Sequence, residues 1–247
     1  MRILQLGFAV VGCLLPIAPA GAQNSSPNRV KIREMREALL GRLLSGPDLA
    51  TRLEGIREST RAETLLILNS GRGTPVDVDD QIRSLLREGQ PTSIIRKRLN
   101  GTDFVVVGYS IIHGMSAIPD SAPVIEAFRS NGSMYEAVAH TGEALERSAA
   151  KLEELPSPWS TELWILAHGQ QSRVMQYHEK IAIYSFDGSR FKELWVAAAP
   201  LRSPRFEIAK GALRISYEDE ERSGPLLVKT IGLTQSGAVE IGTLPQN

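Results

Sequence analysis

The stretch Lys180–Ala199, KIAIYSFDGSRFKELWVAAA, decides the reading of this chain. Two apolar, aromatic runs flank Asp187-Gly188, and Asp-Gly between strands is a strong hairpin signal because glycine accepts positive φ at no steric cost. A two-residue turn there would pair Tyr184 with Phe191 and Ile181 with Leu194. The two pairs sit three residues apart and so point to opposite faces of the sheet. Both faces are apolar, so the hairpin is expected to be covered on both sides.

An echo lies upstream. Val124–His140, VIEAFRSNGSMYEAVAH, carries Asn131-Gly132 where the later stretch carries Asp187-Gly188. The same turn would pair Phe128 with Tyr135 and Ile125 with Val138. Asn131-Gly132-Ser133-Met134-Tyr135 superposes on Asp187-Gly188-Ser189-Arg190-Phe191 at an offset of 56, and Tyr109–Gly114 superposes on Trp164–Gly169 at an offset of 55. Two nearly equal offsets indicate one supersecondary unit used twice, a strand ending in His-Gly, a loop and a hairpin. The units lie near 103–142 and 160–199. A degenerate third occupies 205–243, where Phe206–Ile208, Leu213–Tyr217, Leu226–Leu233 and Ala238–Ile241 read as strands.

The N-terminal part is different. Ile32, Met35, Leu39 and Leu43 follow helical spacing over Val30–Leu44, with Gly46-Pro47 as a stop. Asp48 is placed to cap a second helix carrying Leu49, Leu53 and Ile56. Thr64–Leu68 is too short and uniformly apolar to assign. Asp77, Asp79 and Asp80 precede Ile82, Leu85 and Leu86, as expected of acidic residues opening a helix. Asn100-Gly101 should turn a strand over Ile94–Leu99 into Phe104–Ile112, with Arg98 opposite Asp103. The charged segment 142–155 has helical spacing. The expected class is therefore α+β: a helical region over 30–91, then a mainly antiparallel β domain over 92–247, built as a sandwich, an irregular barrel or a propeller-like array.

Residues 1–22 read as a secretory signal peptide, with Arg2, an apolar run over Ile3–Ile17 and small residues at Ala18, Ala20 and Ala22. Cleavage after Ala22 would leave Gln23 first, followed by a polar linker over 23–29, and would place the protein outside the cytoplasm, periplasmic or secreted. Val10-Val11-Gly12-Cys13 resembles a lipobox, but the apolar run continues beyond Cys13, which favours the soluble form. Cys13 is the only cysteine, so the processed chain would contain no disulfide and no thiolate.

The 247 residues are 42% hydrophobic and carry 28 basic and 28 acidic groups. That balance argues against nucleic acid as a partner. From Gln23 to Thr102 there are 14 basic and 10 acidic residues; from Asp103 onward there are 13 and 18. No transmembrane segment is expected in the processed chain, and no cofactor or metal. Asn24-Ser25-Ser26, Asn100-Gly101-Thr102 and Asn131-Gly132-Ser133 match the glycosylation pattern, although turns favour these residues for backbone reasons. Gly71-Arg72-Gly73 lacks the rest of a phosphate loop, and Ser189-Arg190-Phe191-Lys192 fits S-x-x-K without its companion motifs.

Histidines are the best leads to chemistry. His113 and His168 end matching strands, so in stacked or adjacent units their rings would share one rim with Ser110, Tyr109 and Trp164. Against this, a strand-end histidine commonly packs or caps. The expectation is an exported, non-enzymatic binding or structural module acting on a protein or carbohydrate outside the cytoplasm. The alternative is an extracytoplasmic hydrolase using His113 or His168, with or without a metal.

Overall fold

The hairpin is present, with a longer loop than a two-residue turn. In the computed structural model, strands β7 (His178–Phe186) and β8 (Phe191–Val196) are joined by four residues, Asp187–Arg190, and close on Phe186↔Phe191. The Asp187 carboxylate explains the length: Oδ1 accepts from the backbone N–H groups of Ser189 and Arg190 at 2.8 and 3.0 Å, holding the loop as an Asx turn. Strands β3 (Asp120–Ser130) and β4 (Tyr135–Thr141) repeat the arrangement around Asn131–Met134, where Asn131 Oδ1 accepts from Met134 N–H at 3.1 Å. The expected pairs are therefore replaced by Tyr184↔Glu193, Phe128↔Ala137 and Ile125↔Thr141. Both hairpins also bulge at matching places, between Ala127 and Phe128 and between Ile183 and Tyr184, again 56 residues apart. The repeat thus extends to backbone irregularities.

The described residues are 26–39, 46–71, 73–85, 92–113, 120–145, 150–171, 178–209, 211–218 and 226–245. The segment read as a signal peptide, with Cys13, the first glycosylation pattern, Arg72, the expected boundary at Gln90-Pro91, residues 114–119 and 172–177, and most of the acidic run Glu218–Glu221 lie outside them.

Three helices come first, α1 (Pro27–Leu39), α2 (Gly46–Asn69) and α3 (Pro75–Leu85). The first helix begins inside the expected linker: Ser26 Oγ accepts from Arg29 N–H at 3.3 Å, an N-cap that makes Pro27 the first helical residue. Thr64–Leu68 belongs to α2, and Asp48 lies in its first turn rather than before it. Thr74 and Asp77 form a reciprocal capping box that opens α3.

Strands β1 (Ser93–Leu99) and β2 (Thr102–His113) meet at a two-residue turn with positive φ at Asn100 and Gly101, and Arg98 faces Asp103 as expected. They complete a four-stranded sheet, β1-β2-β3-β4. The segment expected to be helical, 142–155, instead contains, among its described residues, a 3₁₀ turn at Glu143–Leu145 and strand β5 (Lys151–Leu155). Leu152 and Leu155 enter different cores. Residues three apart lie on opposite faces of a strand, and pairing with β6 (Leu163–Gln171) overrides the helix preference of Leu, Glu and Lys.

The last four strands, β9 (Leu201–Ala209), β10 (Ala212–Glu218), β11 (Leu227–Thr234) and β12 (Gly237–Pro245), form the third unit. Among the described residues they join the second sheet through His178↔Arg202 and Glu179↔Leu201, which makes that sheet eight-stranded. At this narrow junction the sheet folds over. Trp164, Leu166, Ile181 and Ile183 of β6 and β7 share a core with Leu213, Ile215, Ile231 and Leu233 of β10 and β11.

The result is a stack of three antiparallel meanders, β1–β4, β5–β8 and β9–β12, with no closed barrel. Alternation along β2 fixes the layering. Phe104 and Val106 face the second meander together with Ile165, Ala182 and Phe186, while Val105, Val107, Tyr109 and Ile111 face the helices with Ile56, Ile67 and Ile82. Every residue of β7 is buried, as two covered faces require.

The loop of the second hairpin gives a direct test. Gly188 has φ +96°, and a Cβ there would lie 3.1 Å from Phe104 Cζ; Gly132 has φ +98° with open space around it. Gly188→Val is expected to cost about 1–3 kcal/mol from backbone strain alone, with the Phe104 contact adding to it. Gly132→Val should cost less. Thermal melts of both variants check the ordering, and an unmoved Tm for Gly188→Val would remove the loop from the structural argument.

Candidate functional site

The five residues expected to share a rim are dispersed. Tyr109 is buried against the helices. Ser110 points the other way and accepts the Ala150 N–H at 2.8 Å, tying β2 to the start of β5. Trp164 is buried in the core shared by the second and third meanders, its indole N–H donating to Glu162 at 3.0 Å. His113 is the last residue of β2, opposite Asp120, on the helix-facing parity of Tyr109 and Ile111. His168 pairs with Ile181 well inside β6 and points toward the third meander. Two sheet layers therefore separate the two imidazoles. Hydrogen-bond register explains the difference: Arg129 pairs with Phe104 but Ser185 with Trp164, so β2 and β6 correspond at an offset of 60. The structural counterpart of His168 is Gly108.

Two polar clusters emerge that the linear repeat did not indicate. The first surrounds His168. Its Nδ1 lies 2.7 Å from Glu179 Oε2 of β7 and its Nε2 lies 3.3 Å from Glu153 Oε1 of β5, with the Phe206 ring of β9 tilted against it at 4.6 Å. A neutral imidazole has one N–H and ionised carboxylates only accept, so both contacts are hydrogen bonds together only when both nitrogens carry protons. His168 is 3% exposed and Glu179 5%. Burial alone would raise the Glu153 carboxyl, but Lys151 and His168 outweigh it and hold it below the usual range. Both nitrogens face carboxylates inside a buried cluster, which leaves neither turned toward solvent. Among the described residues, no group of three or more histidine, cysteine or acidic side chains is arranged to hold a metal ion.

The second cluster lies between α2 and the open edge of the first meander. Asn69 clamps one end, its side-chain amide bonding both the N–H and the C=O of Tyr135 at 2.5 and 3.1 Å, as a neighbouring strand would. Farther along, Arg61 donates from Nε and Nη2 to a single oxygen, Glu126 Oε1, at 3.0 and 2.7 Å. Glu126 is 1% exposed. Its burial raises the carboxyl above the ordinary value despite the opposing Arg61 charge and hydrogen bonds. For Arg61, burial would lower the pKa, but Glu126 outweighs it and the net shift is upward. The Tyr109 phenol is pushed well up by burial and then by Glu126, against the charges of Arg61 and Arg57. Arg57 pairs with Glu54 at 2.7 Å and keeps a buried, unpartnered Nε. His140 is pushed down by burial and then by Arg57 and Arg61.

No protein-family model matches the sequence, and no curated protein resembles it. The chemistry is therefore read from the clusters themselves. The first is closed and self-satisfied. The second opens onto a cavity of about 150 Å³ lined by Arg61, Ala137, Val138, Ala139 and His140. That is below the ~300–1,000 Å³ of pockets for drug-sized molecules and suits one side chain. The cavity lies at the β4 bulge, where the extra residue Val138 has no partner on β3. Along β12, Glu240 pairs with Lys229, while Val239, Ile241 and Leu244 stand exposed. No helix among the described residues is long and apolar enough to cross a membrane.

Proposed function

We propose that this chain is an exported, non-enzymatic binding module that takes an extended protein segment along β4, with an acidic side chain of that segment in the Arg61–His140 cavity. The observation that carries the reading is the Arg61 guanidinium. It has five N–H donors and spends two on one Glu126 oxygen, beside a strand that, among the described residues, pairs with another strand on one side only. An added strand would bond the outer edge of β4, continuing what Asn69 does at Tyr135, and a carboxylate would take the remaining guanidinium donors. A hydrolase centred on His168 is disfavoured because that ring is buried and doubly engaged.

Two measurements test the proposal. Fractionation of the host with N-terminal sequencing should find a chain beginning at Gln23 outside the cytoplasm; a diacylated Cys13 terminus would make it a lipoprotein, and an uncleaved cytoplasmic chain would end the export reading. For binding, the probe is a blocked heptapeptide of alternating valine and threonine with a central glutamate, titrated into isotopically labelled mature chain. Amide signals of 137–140 should shift and become protected, and a glutamine in place of the glutamate should bind about tenfold more weakly, as loss of a charged hydrogen bond predicts. His140→Glu should weaken only the acidic peptide. Absence of any change at β4 at millimolar peptide, or turnover of ester, phosphoester or glycoside substrates that disappears in His168→Ala, would overturn the reading.

A further inference from the structure

The stack is covered at one end and bare at the other. The helices close the outer face of the first meander, and the second meander is buried on both faces. The third meander buries one face, through Leu213, Ile215, Ile231, Leu233 and Ala238. Its opposite face is met by no other element among the described residues.

That face is apolar where β11 and β12 form it. Val239, Ile241 and Leu244 are 52%, 70% and 71% exposed. Register puts them on the outer side. Val239 pairs with Gly232 and Leu244 with Val228, alternating with inward Ile231 and Leu233. Ile241 lies over Gly232, where a Cβ would come within 3.0 Å of its Cδ1. Toward β9 and β10 the same face turns charged, and both signs are present: Arg205, Glu207 and Arg214 are exposed, with Glu207 opposite Arg214.

We infer that two copies of this chain associate through the outer faces of their third meanders. A twofold contact must place a surface against itself. The apolar half of this face can meet itself without burying unpaired charge, and the half carrying Arg205, Glu207 and Arg214 holds both partners of an ion pair. The size is sufficient. Four strands about 4.8 Å apart and eight residues long at about 3.3 Å per residue present roughly 500 Å² per copy. Two copies bury roughly 1,000 Å², the lower bound for a specific interface. The dimer would extend the stack to six meanders with helices at both ends, and it leaves the α2–β4 cleft of each copy open.

Sedimentation velocity of the mature chain should give a dimer at micromolar concentration. Ile241→Asp with Leu244→Asp should yield monomer, with dissociation raised at least a hundredfold and circular dichroism unchanged. If that variant does not fold, Val239→Lys, at a shallower position, serves in its place. Because the mature chain has no cysteine, a spin label on Thr230→Cys reports the contact directly, and a single inter-label distance is expected. A monomer at 100 μM, a dimer indifferent to these substitutions, or a mass that keeps rising with concentration, the mark of edge-to-edge pairing along β12, would overturn the inference.

Discussion

Replacing Trp164 with alanine is expected to destabilise the chain by about 3–5 kcal/mol, the largest loss from any single side chain considered. Trp164 is 1% exposed and lies where the second and third meanders meet, in a core with Leu155, Ile181 and Leu213. Truncation removes the transfer free energy of an indole and leaves a cavity that two sheets cannot close without shifting register. The loss should appear in urea titrations as a lower midpoint with an unchanged slope. A deficit under 1 kcal/mol would mean that the third meander does not close over the second. The experiment therefore tests the fold-over at the two-residue junction as well as the residue.

Arg61→Leu is the next largest, about 3 kcal/mol at neutral pH, because it leaves the buried Glu126 charge without its partner. Its pH dependence separates this cause from lost packing. A carboxyl whose folded-state pKa is raised contributes stability that is present below the unfolded pKa and lost as pH rises through the folded value. The Glu126 carboxyl is already raised by burial, and removing Arg61 takes away the main opposing influence, so the raised window widens. The deficit of Arg61→Leu should be smallest well below about pH 4, under the ordinary glutamate range, and should grow with rising pH. Urea midpoints at several pH values give the profile. A deficit equal at all pH would show that the guanidinium stabilises through contacts other than the ion pair.

Architecture was more legible in the sequence than chemistry, for a physical reason. Asp187-Gly188 and Asn131-Gly132 mark their loops by local backbone requirements, and the apolar run before Asp187 reveals a strand covered on both sides, whereas β8 and β4, expected to be covered likewise, have no fully buried residue. Loop length and register were not legible, because Asx bonding at Asp187 and the paired bulges are choices among conformations that one sequence permits. The β5 segment was misread because KLEEL suits a helix locally and only β6 makes it a strand. The histidine rim failed at the same level. The sequence match has an offset of 55 and the strand register one of 60, and a five-residue shift, being odd, puts the two histidines on opposite faces. Glu126 did leave a signal, as the one charge within Val124–Phe128, on the parity of Val124 and Phe128 that faces the helices. Arg61 left none, because its pairing spans 65 residues.

The order of the strands has a consequence for how the chain can acquire its structure. Among the described residues, every sheet pairing joins strands adjacent in sequence except β7 with β9, which skips only β8. Each meander can therefore zip up by short loop closures soon after its own residues are available, without waiting for a distant segment, and local pairing of this kind speeds folding. A chain delivered N-terminus first would complete β1–β4 before β5 arrives. The second meander would then form on a finished template, and the third on the second. Assembly by accretion leaves the final surface, the face bearing Val239, Ile241 and Leu244, as the growing end of the stack.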